Sequence, residues 1–215
     1  LPEAHTGLGV ALQAHGQLDE AILHHREALE LRPAYPAAWS NLGLALRTKG
    51  DCLQEAIAAF REALKLKPEY PEALSNLGLA LLTDGQSEAG LASQRQAIAI
   101  NPNLPQLYLN LGDGLLELNR LPEAIDAFRT AIQVKADEPK AYFGMARAHQ
   151  LLGDFEQALL IAEQGLAIDP DWLPIQWIKF QLLNMLERPE AAADVVEAML
   201  TNQPDCGMSH LVKAC

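Results

Sequence analysis

Four of the six histidines, His5, His15, His24 and His25, fall within the first 25 residues, a density that raises the question of metal ligation. A metal site needs two to four ligands converging on one point with a supporting shell. Neighbours on a helix such as His24 and His25 point to different sides, and His25 falls at a core position of the pattern described below. These residues are therefore read as ordinary helix histidines, and no metal or other cofactor is expected. Cys52, Cys206 and Cys215 are odd in number and lack metal-ligand spacing, which fits a reducing, cytoplasmic setting. Cys52 is expected to be a solvent-accessible bystander in a loop between helices. There is no glycine-rich phosphate loop, no nucleophile elbow and no paired-carboxylate cleft, so no catalytic residue is assigned and the chain is not expected to be an enzyme.

Composition narrows the partners. Lys plus Arg number 16 against 28 Asp plus Glu, a formal charge of −12, the wrong sign for neutralising phosphates, so nucleic acid is excluded as the expected ligand. No apolar run reaches the roughly 18 residues that span a bilayer, so no membrane insertion is expected. With 49% hydrophobic residues in 215, the chain has the material for a sizeable core.

The polar residues that recur are asparagines. Asn41, Asn76 and Asn110 occupy the same place in three consecutive repeats of the chain. Asn is a mediocre helix former, so nothing local favours it there, while its one acceptor and two donors can pair with both C=O and N–H of an extended peptide. The competing reading is that each asparagine bonds locally to the backbone of its own repeat. Beside them Leu44, Leu79, Leu82, Leu109, Leu116 and Phe143 are expected to form an apolar strip along the same surface, the kind of strip that marks a binding face. Glu72, Asp113 and Glu117 against Arg147 on that face predict a neutral or mildly basic protein or peptide guest.

These residues are positioned by a repeat. Prolines at 2, 36, 71, 105 and 139 are spaced 34, 35, 34 and 34 residues apart, which defines repeats 2–35, 36–70, 71–104, 105–138 and 139–172, an atypical one at 173–206 and a partial seventh at 207–215. One array, not a set of separate domains, is expected over 1–215. Apolar or small residues at the fourth, seventh, eighth and eleventh places (Trp39, Leu42, Gly43 and Leu46 in the second repeat) trace one face of a first helix. Small residues such as Ala56 and Ala63 around Phe60 trace a second helix. The fifteenth place reads Gly16, Gly50, Gly85, Asn119 and Gly153, and Asn is the residue that best replaces Gly in a left-handed, helix-ending turn. No stretch alternates with strand period, so the fold class is all-α.

A 34-residue helix–turn–helix unit with this Trp/Tyr, Leu-Gly, Ala, Phe, Ala, Pro pattern resembles the tetratricopeptide repeat family over nearly the whole chain. The resemblance implies a right-handed superhelical solenoid of antiparallel helix pairs whose first helices line a concave groove, and a non-catalytic scaffold that binds a partner segment there. Ser-Asn-Leu-Gly at 40–43 and 75–78 is similar to the asparagine-lined arrays of O-linked N-acetylglucosamine transferases, where such asparagines grip peptide backbone. The alternatives are a substrate-recruiting array of a larger enzyme such as a glycosyltransferase, or an oligomerisation scaffold. The family's two-carboxylate clamp needs Lys and Arg that the corresponding places lack. The truncated seventh repeat reads as a fragment, and weak self-association through open repeat ends is expected. In the third repeat Gly90 stands where Ala is usual and Gln94 where an aromatic is usual, which predicts a soft second helix. Gly90→Ala would then stabilise by about 1 kcal/mol if the methyl fits, and overpack if it does not.

Overall fold

The computed structural model describes residues 1–202; residues of the expected seventh repeat, with Cys206 and Cys215, lie outside the described part. Twelve α-helices and no strand occur among the described residues. They fall into two compact halves, Leu1–Asn110 and Leu111 onward. The N-terminal half holds α1 (Pro2–Ala14), α2 (Leu18–Leu31), α3 (Pro36–Lys49), α4 (Leu53–Leu66), α5 (Pro71–Thr83) and α6 (Ser87–Ile100). The boundary falls inside α7 (Pro105–Glu117), and α8 (Leu121–Val134), α9 (Pro139–Leu152), α10 (Phe155–Ile168), α11 (Leu173–Met185) and α12 (Pro189–Asn202) follow. Within the halves α1 packs on α2, α3 on α4, α5 on α6, α9 on α10 and α11 on α12, and α2, α4, α8 and α10 each pack on the first helix that follows.

The punctuation of the sequence accounts for the helix ends. The repeat-opening prolines stand at the first helical position of α1, α3, α5, α7 and α9, where the missing N–H costs no hydrogen bond. The fifteenth places end the first helices in left-handed turns: Gly16, Gly50, Gly85 and Gly153 at φ 76–90°, and Asn119 at φ 56°. The flanking amides close a Schellman motif, as in Gln17 N–H to Leu12 O at 2.9 Å and Arg120 N–H to Leu115 O at 2.8 Å. The sixth repeat keeps the turn without the glycine, with Glu187 at φ 55° and Arg188 N–H on Leu183 O. Its register is pinned at the fourth place, where Gln176 donates to the loop carbonyl of Pro170, as Trp39 does to Pro33 and Tyr142 to Ala136.

Helix pairing rests on a large residue of the second helix seated over a glycine of the first. A Cβ on Gly43 would lie 2.8 Å from the Phe60 ring, and one on Gly112 would lie 2.6 Å from the Phe128 ring. His25 takes the same seat over Gly9. In the third repeat the helices meet through backbone, with the Gly78 and Gly90 faces in contact. Gln94 is fully buried there: Ser75 Oγ donates to its Oε1 at 3.0 Å and its Nε2 donates to Ser75 O at 2.9 Å. These contacts favour a firm α6, and hydrogen exchange tests the expected softness. Gly90 permits a close approach and Gln94 replaces aromatic packing with two satisfied hydrogen bonds.

Candidate functional site: the first-helix wall

The three asparagines of the ladder are all half-buried on α3, α5 and α7, but they are not equivalent. Asn110 Nδ2 donates to Ser75 Oγ at 2.9 Å, and its Oδ1 accepts from Gln106 Nε2 at 2.8 Å. With the Ser75–Gln94 bonds this makes a continuous relay from α7 through α5 to α6. Asn110 thus differs from the local reading, because both of its partners are side chains and one belongs to the preceding repeat. Asn41 and Asn76 make no side-chain hydrogen bond among the described residues. Both side chains are half-buried.

The apolar neighbours also divide. Leu44 and Leu79, at the ninth place of α3 and α5, are half-buried, and Leu44 packs on the repeat core while keeping an open face. Val10 stands at the ninth place of α1 and is 47% exposed, so these three residues continue one stripe; sequence reading left Val10 out of it. Leu82 is half-buried but turns toward α6, its Cγ lying 2.8 Å from a Cβ built on Gly90. Leu109 is buried and does not line the wall. The same fifth position is buried in the three preceding repeats, at Thr6, Ser40 and Ser75, whereas Phe143 at that place on α9 is half-buried. Neighbouring first helices touch, α1 on α3 and α3 on α5, and Asn110, beside Leu109 on α7, bonds Ser75 at the fifth place of α5.

In the C-terminal half Leu116 is half-buried on α7. Phe143 is half-buried on α9, set edge-on against Trp172 with centroids 5.5 Å apart, and belongs to the packing around the α9–α11 core. Arg147 is exposed at the ninth place of α9. Asp113 keeps solvent contact, yet the protein crowded round it raises its carboxyl above the ordinary value, and the charge of Glu117 adds to the rise. Arg147 and then Lys140 pull it partly back. Three acidic groups against one arginine were expected on the wall; the observed Asp113 environment draws Lys140 in as a second cation.

Groups that could have been reactive are quiet. Cys52 Sγ donates to Asp51 Oδ1 at 3.1 Å. That bond first, then burial, then the carboxylate charge raise the thiol above its ordinary value, opposite to what a nucleophile requires. His25 has neither ring nitrogen hydrogen-bonded, and burial, helped by the charge of His24, pushes it down to about 4. Among the described residues no helix is long and apolar enough to cross a membrane.

Repeated helix pairs, left-handed turns every repeat and residues seated over glycine define a class of all-α repeat scaffold. Family models described as TPR repeat or tetratricopeptide repeat match residues 14–50, 52–85, 71–104 and 115–179, between them most of the chain. The chain belongs to the tetratricopeptide repeat family, whose members generally mediate protein–protein interactions. It is similar in structure to PilW, a type IV pilus biogenesis factor, at TM-score 0.86 and 18% identity, over 98% of this chain and 97% of that one. PilF of Pseudomonas aeruginosa matches at TM-score 0.78 and 19% identity, over 99% of this chain and 96% of that one. YrrB, described as a TPR protein with an unusual peptide-binding site, matches at TM-score 0.63 and 18% identity, over 89% and 98% of the two chains. At these identities the likeness is one of fold. No curated protein matches the sequence.

Proposed function

We propose that the first-helix wall of the N-terminal half holds an extended protein segment, with Asn41 and Asn76 bonding its main chain and Leu44 and Leu79 receiving apolar side chains. One observation carries the reading. Two amides at the same repeat place are half-buried yet unbonded, each three residues before a half-buried leucine. Their amide atoms are not sealed from water, so each can exchange water for the backbone of a guest at a net gain of about 0.5–1.5 kcal/mol per bond. The description of YrrB as a TPR protein with an unusual peptide-binding site is consistent with a peptide guest. Main-chain bonding gives affinity with little sequence demand, so selectivity falls to the leucines and to charge. Glu72 is exposed on α5 and the chain carries −12, which favours a neutral or mildly basic segment.

The test is selection of a phage-displayed random peptide library on the purified chain, followed by affinity measurement on the Asn41→Ala, Asn76→Ala double variant. Two lost hydrogen bonds at about 0.5–1.5 kcal/mol each predict about 5- to 150-fold weaker binding. Equal affinity for both proteins overturns the assignment. Asn110→Ala should instead lower stability, because it breaks the relay to Ser75.

A further inference from the structure

The histidines read as unremarkable in the sequence are brought together by the antiparallel pairing of α1 with α2. His5 Nδ1, His24 Nδ1 and Glu27 Oε2 form a triangle with edges of 3.2, 2.8 and 2.9 Å. His24 and Glu27 share a face of α2 by their i,i+3 spacing, and His5 faces them from α1. All three are partly buried, with side chains 23–38% exposed, so water is thinned but an entering ion has access.

With the carboxyl ionised, no placement of protons makes all three contacts favourable. If both Nδ1 atoms carry hydrogen, each can donate to Oε2, and the 3.2 Å contact between the two nitrogens then carries no hydrogen bond. If only one carries hydrogen, the other presents a lone pair to the carboxylate oxygen at under 3 Å. A single cation removes the conflict, because it accepts all three lone pairs at once. The dimensions agree with one: ligands about 2.0–2.1 Å from a tetrahedral zinc ion lie about 3.3 Å apart, so the triangle has only to open by a few tenths of an ångström. Glu27 is also unclaimed by stronger partners. Glu3 is paired with Arg32 and Glu55 with Arg26, whereas the ion pairs of Glu27 among the described residues are these two imidazoles.

We infer that His5, His24 and Glu27 form a binding site for one divalent transition-metal ion, Zn²⁺ by its two-imidazole, one-carboxylate donor set, with a fourth position open to water. Such an ion ties α1 to α2 and clamps the first repeat. The site lies apart from Asn41 and Asn76 in sequence and uses none of the wall residues.

The experiment is calorimetric titration of the untagged chain with zinc chloride, with cobalt(II) absorption as a readout of coordination. One ion per chain with micromolar affinity is expected. His5→Gln and His24→Gln should each weaken it by about 100-fold or more, at or beyond the upper end of what loss of an outer-shell partner costs, and Glu27→Gln should weaken it as well. His15→Gln, a change at an exposed histidine of the same repeat, should leave it unaltered. Circular dichroism checks that the variants are folded, and the cysteines, present in every protein compared, contribute equally. No zinc uptake by the native chain in this range, or uptake unchanged in both histidine variants, overturns the site and leaves Glu27 as a bridge between two imidazoles.

Discussion

Adding one methyl group at Gly90 should destabilise the third repeat, against the helix-propensity rule. The new Cβ would lie 2.8 Å from Leu82 Cγ, 2.9 Å from Gly78 O and 3.0 Å from Leu82 N. Leu82 can rotate, but the other two contacts are backbone of α5, so relief requires the helices to part. Alanine gains about 1 kcal/mol over glycine in a helix interior. Overpacking costs about 1–3 kcal/mol. Parting α5 from α6 also stretches the two Gln94–Ser75 bonds, which contribute about 0.5–1.5 kcal/mol each. The net expectation is a loss of about 1–2 kcal/mol. Native-state hydrogen exchange of the α5 and α6 amides is the assay, because a repeat array can open locally and a global midpoint would blur the effect. Gly78→Ala should behave alike, its Cβ meeting Gly90 O at 2.9 Å. In the unsubstituted chain, amides of residues 88–100 should be protected as well as those of 123–134. A Gly90→Ala protein more stable than the parent, or α6 exchanging far faster than α8, would refute the close-packed account.

Two further outcomes follow from local geometry. Glu187 holds φ 55° with a side chain that disfavours it, so Glu187→Gly should stabilise the α11–α12 turn by about 1 kcal/mol, measured by exchange of the Arg188 amide; a destabilised turn would contradict this. Asp113 binds its proton more tightly folded than unfolded, so stability falls as pH rises through the interval between the two values, and the ionised group remains a penalty above it. Asp113→Asn should therefore raise the melting temperature at pH 7, with the gain fading as the pH is lowered below the ordinary carboxyl range. A gain independent of pH would mean that charge is not the cause.

The fold was legible because its signals are local. A proline fixes φ at a helix start, a glycine or asparagine permits the left-handed turn, and both recur at one spacing, so Asn119 could be recognised as a turn residue from its place alone. What lay hidden depends on how helices meet. Burial of Leu109 depends on how neighbouring helices pack, which one helix's pattern does not contain; Thr6, Ser40 and Ser75 at the same fifth place, all small and hydroxyl-bearing, were the available hint. Gln94 looked like a missing aromatic because its partner Ser75 is 19 residues away on another helix. His5 and His24 have the same separation and meet only because α1 and α2 are paired in one particular phase. Among the asparagines, sequence identity of place concealed a difference that Ser75 creates, since it engages Asn110 and not Asn41 or Asn76.

The central claim, that a guest segment lies on the first-helix wall, is tested most directly by leucine-methyl NMR of the chain titrated with a library-selected peptide. Leu44 and Leu79 methyls should shift together and saturate with the affinity measured for binding. Leu23, Leu31 and Leu66, exposed on the second helices, should stay in place. Shifts confined to those outer leucines, or to Leu8 on α1, with Leu44 and Leu79 unmoved, would contradict the account.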